Sequence, residues 1–272
     1  MSLESEGYLS PDVRSWIATH RSQNPELFGL ADRMNRTAQR TMMGCAVPDN
    51  DNRALLVVLL FARGLSSFQD GVLMIERGMS VEALTLARSC LETSFYLAAI
   101  VRDPAAIEGM IGSDAKHKKK ITRWLTGPGA AAADLPHEQT ERLRAFLLRA
   151  ATDGPAPGIA DVARKAEMSE IYETVYRDLC DRAAHPSLNS LLRHVTQDAH
   201  GNVVGLRFGP ETADTREVVL ALVTSMFPAI HGLGKIFPIA DDFTHEFNGC
   251  WETYVQLIAE QDAEASGSAP AA

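Results

Sequence analysis

The stretch VEALTLARSCLETSFYLAAIV, residues 81–101, decides how this chain folds. On a helical wheel Leu84, Leu91 and Ala98 fall along one side, and Leu86, Cys90, Leu97 and Val101 along another. A helix that is apolar nearly all round is buried on nearly all sides. Yet Thr85, Arg88, Glu92 and Tyr96 recur at steps of three or four, so they form one polar stripe on that helix. An exposed intrahelical pair would favour Glu before the basic residue, and here Arg comes first. A buried pair costs several kcal/mol per ion unless its hydrogen bonding is completed from outside. Polar groups of another helix, a ligand or water in a cleft must therefore meet Arg88 and Glu92.

Upstream, residues 51–77 read as one long apolar helix, with Leu55, Leu56, Leu59, Leu60, Phe68, Val72 and Ile75 at helical spacing. Gly64 and Gly71 inside it suggest close approach of a neighbouring helix. Gly78 ends it and Ser80 opens the next, a connection so short that the two helices must be antiparallel neighbours. The expected fold is all-α, a multi-helix bundle around this central antiparallel pair. Ser10-Pro11-Asp12 starts a helix reaching Arg21, and Asn24-Pro25-Glu26 starts another reaching Met43. Downstream, helices are expected over 105–111, 114–125, 138–151 and 167–184, with loops at 127–136 and 153–158. One β-hairpin is expected near residues 192–208, its strands joined around Gly201-Asn202. Helices over 215–235 and 241–261 follow. The reading is one domain over 1–262: N-terminal helices 9–46, a core 51–192, the hairpin 193–209 and C-terminal helices 212–262. Residues 263–272 are expected to be disordered.

At 272 residues the chain is long enough to bury a substantial core, and 46% hydrophobic with 22% charged residues is an ordinary globular balance. A net charge of −9 argues against a general binder of phosphate backbones, although a local basic patch remains compatible with it. Cys45, Cys90, Cys180 and Cys250 are scattered, without metal-binding spacing, and Cys90 and Cys180 read as small hydrophobes inside helical patterns. Asp241, Asp242, His245 and Glu246 carry suitable atoms for a metal but no recognised spacing, so neither a metal nor a cofactor is expected. The start of the chain lacks the pattern of a signal peptide. The longest uninterrupted apolar run, residues 54–62, is about half the roughly 20 residues a bilayer demands. These features lead to the expectation of a cytoplasmic protein without membrane contact, its partner being a protein or a small molecule. A homodimer is left open by the hairpin and exposed helix faces.

Two further clusters carry chemistry. Asp178, Asp181 and His185 share a helix face, where Asp181 could orient His185 as a base beside Arg182. The competing reading is a histidine favoured at a helix C-terminus by the dipole. A metal hydrolase using Asp178, Asp181 and His185 is a further alternative. Lys116, Lys118, Lys119, Lys120 and Arg123 form a basic run, read either as a solvated helix face or as a contact for nucleic acid.

The run Gly64-Leu-Ser-Ser-Phe-Gln, then Glu76-Arg-Gly78, Glu82-Ala83 and Arg88-Ser-Cys-Leu-Glu92-Thr, resembles the bacterial domain of unknown function 5677. Tyr176 and His185-Pro186-Ser187 resemble the later part of that family's pattern, and the likeness spans residues 53–194. It implies a helical fold and no particular activity. A looser similarity is to the HEPN class of helical ribonucleases and toxins, which place an arginine slightly over a helical turn ahead of a histidine. Arg182 stands closer to His185 than that, and Arg177 farther. The leading expectation is a pocket for a partner or small ligand built from Arg88, Glu92, Tyr96, Tyr176 and His185. The alternative is a metal-independent ribonuclease, with His185, Asp181 and Arg182 as catalytic candidates and the basic run gripping RNA.

Overall fold

The computed structural model describes residues 3–126, 136–149, 156–184, 188–238 and 241–265. After short turns at Leu3–Glu6 and Gly7–Leu9 come helices α1 (Val13–Gln23), α2 (Pro25–Met43), α3 (Asn52–Glu76) and α4 (Ser80–Arg102). Then follow α5 (Ala106–Thr126), α6 (His137–Arg149), α7 (Ile159–Lys165), a composite helical segment over 169–184, and α8 (Leu188–Leu192). Strands β1 (Val195–Gln197) and β2 (Val203–Leu206) precede α9 (Thr215–Gly234) and α10 (Asp241–Ala265).

The central pair forms as its sequence requires. Asp51 caps α3 by accepting the Ala54 N–H at 2.9 Å, satisfying one of the otherwise orphaned first-turn donors. Gly78 closes the α3–α4 turn at φ +70°, a left-handed conformation that other residues enter only at a cost. Its carbonyl accepts the Glu211 N–H, and a Cβ there would sit 2.5 Å from that nitrogen. The turn thus has room for no side chain. Helix α9 lies across both α3 and α4. Gly71 and Gly232 let it approach: a Cβ at Gly71 would reach 2.5 Å from Leu222, and one at Gly232 2.4 Å from Leu97. Gly64, in contrast, meets Thr93 at ordinary contact distance. Phe61, Phe68 and Phe95 are fully buried in this three-helix core. Two buried serines tie its backbones: Ser94 Oγ donates to the Ser225 carbonyl at 2.6 Å, and Ser225 Oγ to Ala87 at 3.3 Å.

The all-α bundle with one small hairpin is therefore present. The hairpin pairs Val195 with Leu206 and Thr196 with Gly205, with an irregularity before Gln197. Asp198 holds its turn by accepting the N–H groups of His200 and Asn202. Several element boundaries differ from expectation. Residues 106–126 form one helix straight through Gly112, because one glycine costs only about 1 kcal/mol and packing outweighs it. Helix α7 starts immediately after the expected 153–158 loop, where no helix was expected. Helix α10 extends to Ala265, into the stretch expected to be disordered, and residues 266–272 lie outside the described ones.

The expectation of a cytoplasmic protein without membrane contact is corrected. Three helices, Asn52–Glu76, Ser80–Arg102 and Thr215–Gly234, are long and apolar enough to cross a membrane by length and composition. Counting an uninterrupted apolar run stopped at Arg63, whereas a spanning helix tolerates one or two charges within its length. Their most apolar windows are 44%, 56% and 72% buried against the rest of the chain.

Candidate functional site

The polar stripe of α4 faces the segment 169–184, and that segment has an unusual backbone. It winds as α-helix at Ser169–Ile171, π-helix at Tyr172–Tyr176, α-helix at Arg177–Leu179 and π-helix again at Cys180–Ala184. A π turn widens the helix by one residue per hydrogen-bonded ring, which re-aims the side chains it carries, and such turns concentrate at functional sites. Here they bring Tyr176 and Cys180 onto one arginine.

The Arg88 guanidinium makes three directed contacts. Its Nε donates to the Cys180 Sγ at 3.1 Å, and its Nη2 donates to Glu92 Oε1 at 2.5 Å and to the Tyr176 hydroxyl oxygen at 2.9 Å. The Tyr176 hydroxyl in turn donates to the same Glu92 Oε1. The Arg88 carbon centre also sits 5.2 Å from the Tyr176 ring centroid, within cation–π range. One turn back, the Thr85 hydroxyl reaches the Ala183 carbonyl at 3.3 Å. Tyr176 is 4% exposed and stacks on Tyr172 at 5.1 Å, with Phe95 against its edge.

This arrangement answers how the two charges are satisfied. Burial alone works against the charged Arg88, but the Cys180 hydrogen bond and the charge of Glu92 outweigh it, so its pKa is raised. The Tyr176 phenol is raised as well, first by burial and then by its hydrogen bond to Glu92, which keeps it a neutral donor. Satisfaction is one-sided. The Arg88 and Glu92 side chains remain 27% and 31% exposed, and among the described residues Arg88 Nη1 and Glu92 Oε2 take no hydrogen bond.

The other sequence-derived candidates sit elsewhere or differently. Tyr96, the last member of the stripe, is half-buried against the hydrophobic core. His185 falls outside the described residues. Arg182 is surrounded by acids, with Asp178 at 3.2 Å, Asp214 at 3.5 Å and Glu217 closest. Asp181 is exposed. The basic run on α5 does not form a single face: Lys119 is 4% exposed, Lys118 pairs with Asp114 at 2.6 Å, and Lys116, Lys120 and Arg123 point outward. Cys180 was read as a small hydrophobe, and its place on Arg88 was missed. Its i,i+4 spacing from Tyr176 was the available signal. Cys90 does behave as a core residue, its thiol pushed up to about 12 by complete burial. A cavity of about 410 Å³ lies away from this cluster, between α2 and α10, lined in part by Arg33 and Arg36.

A family model described as a family of unknown function (DUF5677) matches residues 54–202, more than half of the chain. The chain belongs to the DUF5677 family. No curated protein and no solved structure matches it. The DUF5677 match encloses α4, the π-helical segment and hence every contact of the Arg88 cluster. Helices α1, α2, α9 and α10 lie outside it, so in this DUF5677 protein the helix that completes the core, α9, comes from beyond the matched region.

Proposed function

We propose that this DUF5677 protein is a binding module whose Arg88–Glu92 cluster recognises an amide, carried by a small ligand or by a segment of a partner chain. The carrying observation is that both side chains stay partly exposed while, among the described residues, Arg88 Nη1 and Glu92 Oε2 take no hydrogen bond, which leaves a donor and an acceptor over on one ion pair. An amide presents the complementary acceptor and donor side by side, and hydrogen bonds to ionised groups are worth about 1.5–3 kcal/mol each. Tyr176 and Cys180 support the reading because they hold the inner edge rigid and so pre-organise the outer one. Tyr96 lies one turn beyond Glu92 and would flank the bound group. Arg182 lends no support to ribonuclease chemistry, because three carboxylates already neutralise it.

The test uses N-acetylglycinamide as a compact amide probe, titrated into the ¹⁵N-labelled full chain. Saturable shifts should centre on residues 85–96 and 172–184. The double variant Arg88→Met with Glu92→Leu should lose them while its stability is unchanged or raised, by up to about 4 kcal/mol, as for other buried pairs replaced by hydrophobes. Absence of shifts in the wild type, or their survival in the double variant, retires the proposal and leaves the cluster as scaffold.

A further inference from the structure

A second site sits at the N-terminal end of α4, where four segments of chain converge. A cavity of about 80 Å³ is lined by Ser80, Val81 and Glu82 from the first turn of α4, by Arg193 and His194, by Arg207 to Gly209 with Glu211, and by Tyr8. Its walls are fixed to one another. Tyr8 donates to the Gly209 carbonyl at 2.7 Å, the Arg207 N–H donates to His194 at 2.8 Å, and the Glu211 N–H donates to Gly78.

Two buried polar atoms on this cavity lack partners among the described residues. Ser80 is only 2% exposed, and among the described residues neither its hydroxyl nor Nε of Arg193 has a hydrogen-bond partner. Orphaned buried polar atoms are rare in folded proteins, and each calls for an occupant. Both can donate. They stand beside the N-terminus of a 23-residue helix, whose first-turn N–H groups have no carbonyl one turn back and whose dipole favours negative charge. The unmet capacity is therefore for an oxygen acceptor bearing negative charge.

The acids present limit that charge. Glu211 is shared between Arg193 at 3.4 Å and Arg207 at 3.7 Å, and Arg193 is also paired with Asp214. Glu82 lines the same cavity with no ion pair among the described residues. A dianion would be repelled by Glu82, whereas an ammonium would be attracted to it. We infer that this cavity binds a small free amino acid, its carboxylate on the Ser80 hydroxyl, Arg193 Nε and the α4 N-terminus, and its ammonium towards Glu82. The volume admits only a compact one, such as glycine.

Glycine, acetate and inorganic phosphate, each titrated into the ¹⁵N-labelled full chain, distinguish the sources of such an anion. Glycine should bind saturably and more tightly than acetate, and phosphate most weakly. Ser80→Ala, which removes only a hydroxyl, should weaken glycine about tenfold, the loss of one hydrogen bond to a charged acceptor. Glu82→Gln should abolish the preference for glycine over acetate while leaving acetate binding in place. If none of the three binds saturably, the cavity holds water alone and the inference falls. Tightest binding of phosphate, or full glycine affinity in both variants, overturns it equally.

Discussion

Arg88 is held by groups from a distant part of the chain, and the chemistry of those groups sets what substitutions there do. The Tyr176 hydroxyl donates a hydrogen bond to Glu92 and accepts one from Arg88 on the same oxygen. Tyr176→Phe keeps the stacked ring but leaves two charged partners short of one contact each. It should lower stability by about 1–3 kcal/mol in urea unfolding, the cost of leaving buried charged groups under-bonded. An unchanged midpoint would mean that water replaces the hydroxyl. The pair itself was legible from its position in an apolar helix, and so was the need for outside partners. Tyr176 was expected beside the pair, whereas Cys180, read as a small hydrophobe, was not, although both reach Arg88 from the same segment 169–184. No residue pattern in that stretch marks a change of helix type, since the side chains there suit an α-helix equally well.

At the level of elements, the hairpin of α3 and α4 depends on one residue. Gly78 has φ +70° and faces the backbone of Pro210 and Glu211 at distances that exclude a Cβ. Gly78→Ala therefore meets a strained conformation, costing about 1–2 kcal/mol, and a backbone clash in addition. A loss of at least that size in the urea midpoint is expected, and a neutral result would show that the 209–211 segment can retreat. Gly78 read correctly as a helix stop. Its second role, admitting the chain that leads from the hairpin into α9, depends on a contact with residues more than 130 positions away and leaves no local trace. The same holds for Gly71, whose close approach proved to be to Leu222 of α9 and not to the sequence neighbour α4.

Across the whole molecule, His20 links three parts of the bundle. Buried at 1% exposure on α1, it places Nδ1 3.2 Å from the Glu76 carbonyl at the end of α3 and Nε2 2.8 Å from Thr215 Oγ1 at the start of α9. Burial lowers its pKa below the ordinary 6.5, only partly offset by Glu76. The unfolded chain thus takes up a proton at a higher pH than the folded one does. Stability from this residue is present above 6.5 and is lost as the pH falls from there towards the lowered folded value. Thermal unfolding followed between about pH 7 and 5 should show a falling midpoint, and His20→Gln should flatten that fall. A slope that persists unchanged in the variant would assign it to other groups.

Periodicity and turn chemistry by themselves determined the all-α class, the antiparallel central pair and the hairpin. These features rest on local spacing and backbone preference, which neighbouring residues carry in full. They also singled out Arg88 and Glu92, because charge on a buried helix violates a local rule. Only the tertiary structure decided that Cys180 joins Tyr176 on Arg88, that Arg182 is neutralised by acids, and that Ser80 and Arg193 share a cavity. Each of those depends on which distant side chains packing brings within about 3 Å, the reach of a hydrogen bond. Membrane compatibility divided differently. An uninterrupted apolar run pointed one way and the full length of the helices the other, because a helix is judged over its whole span and not by its longest apolar stretch.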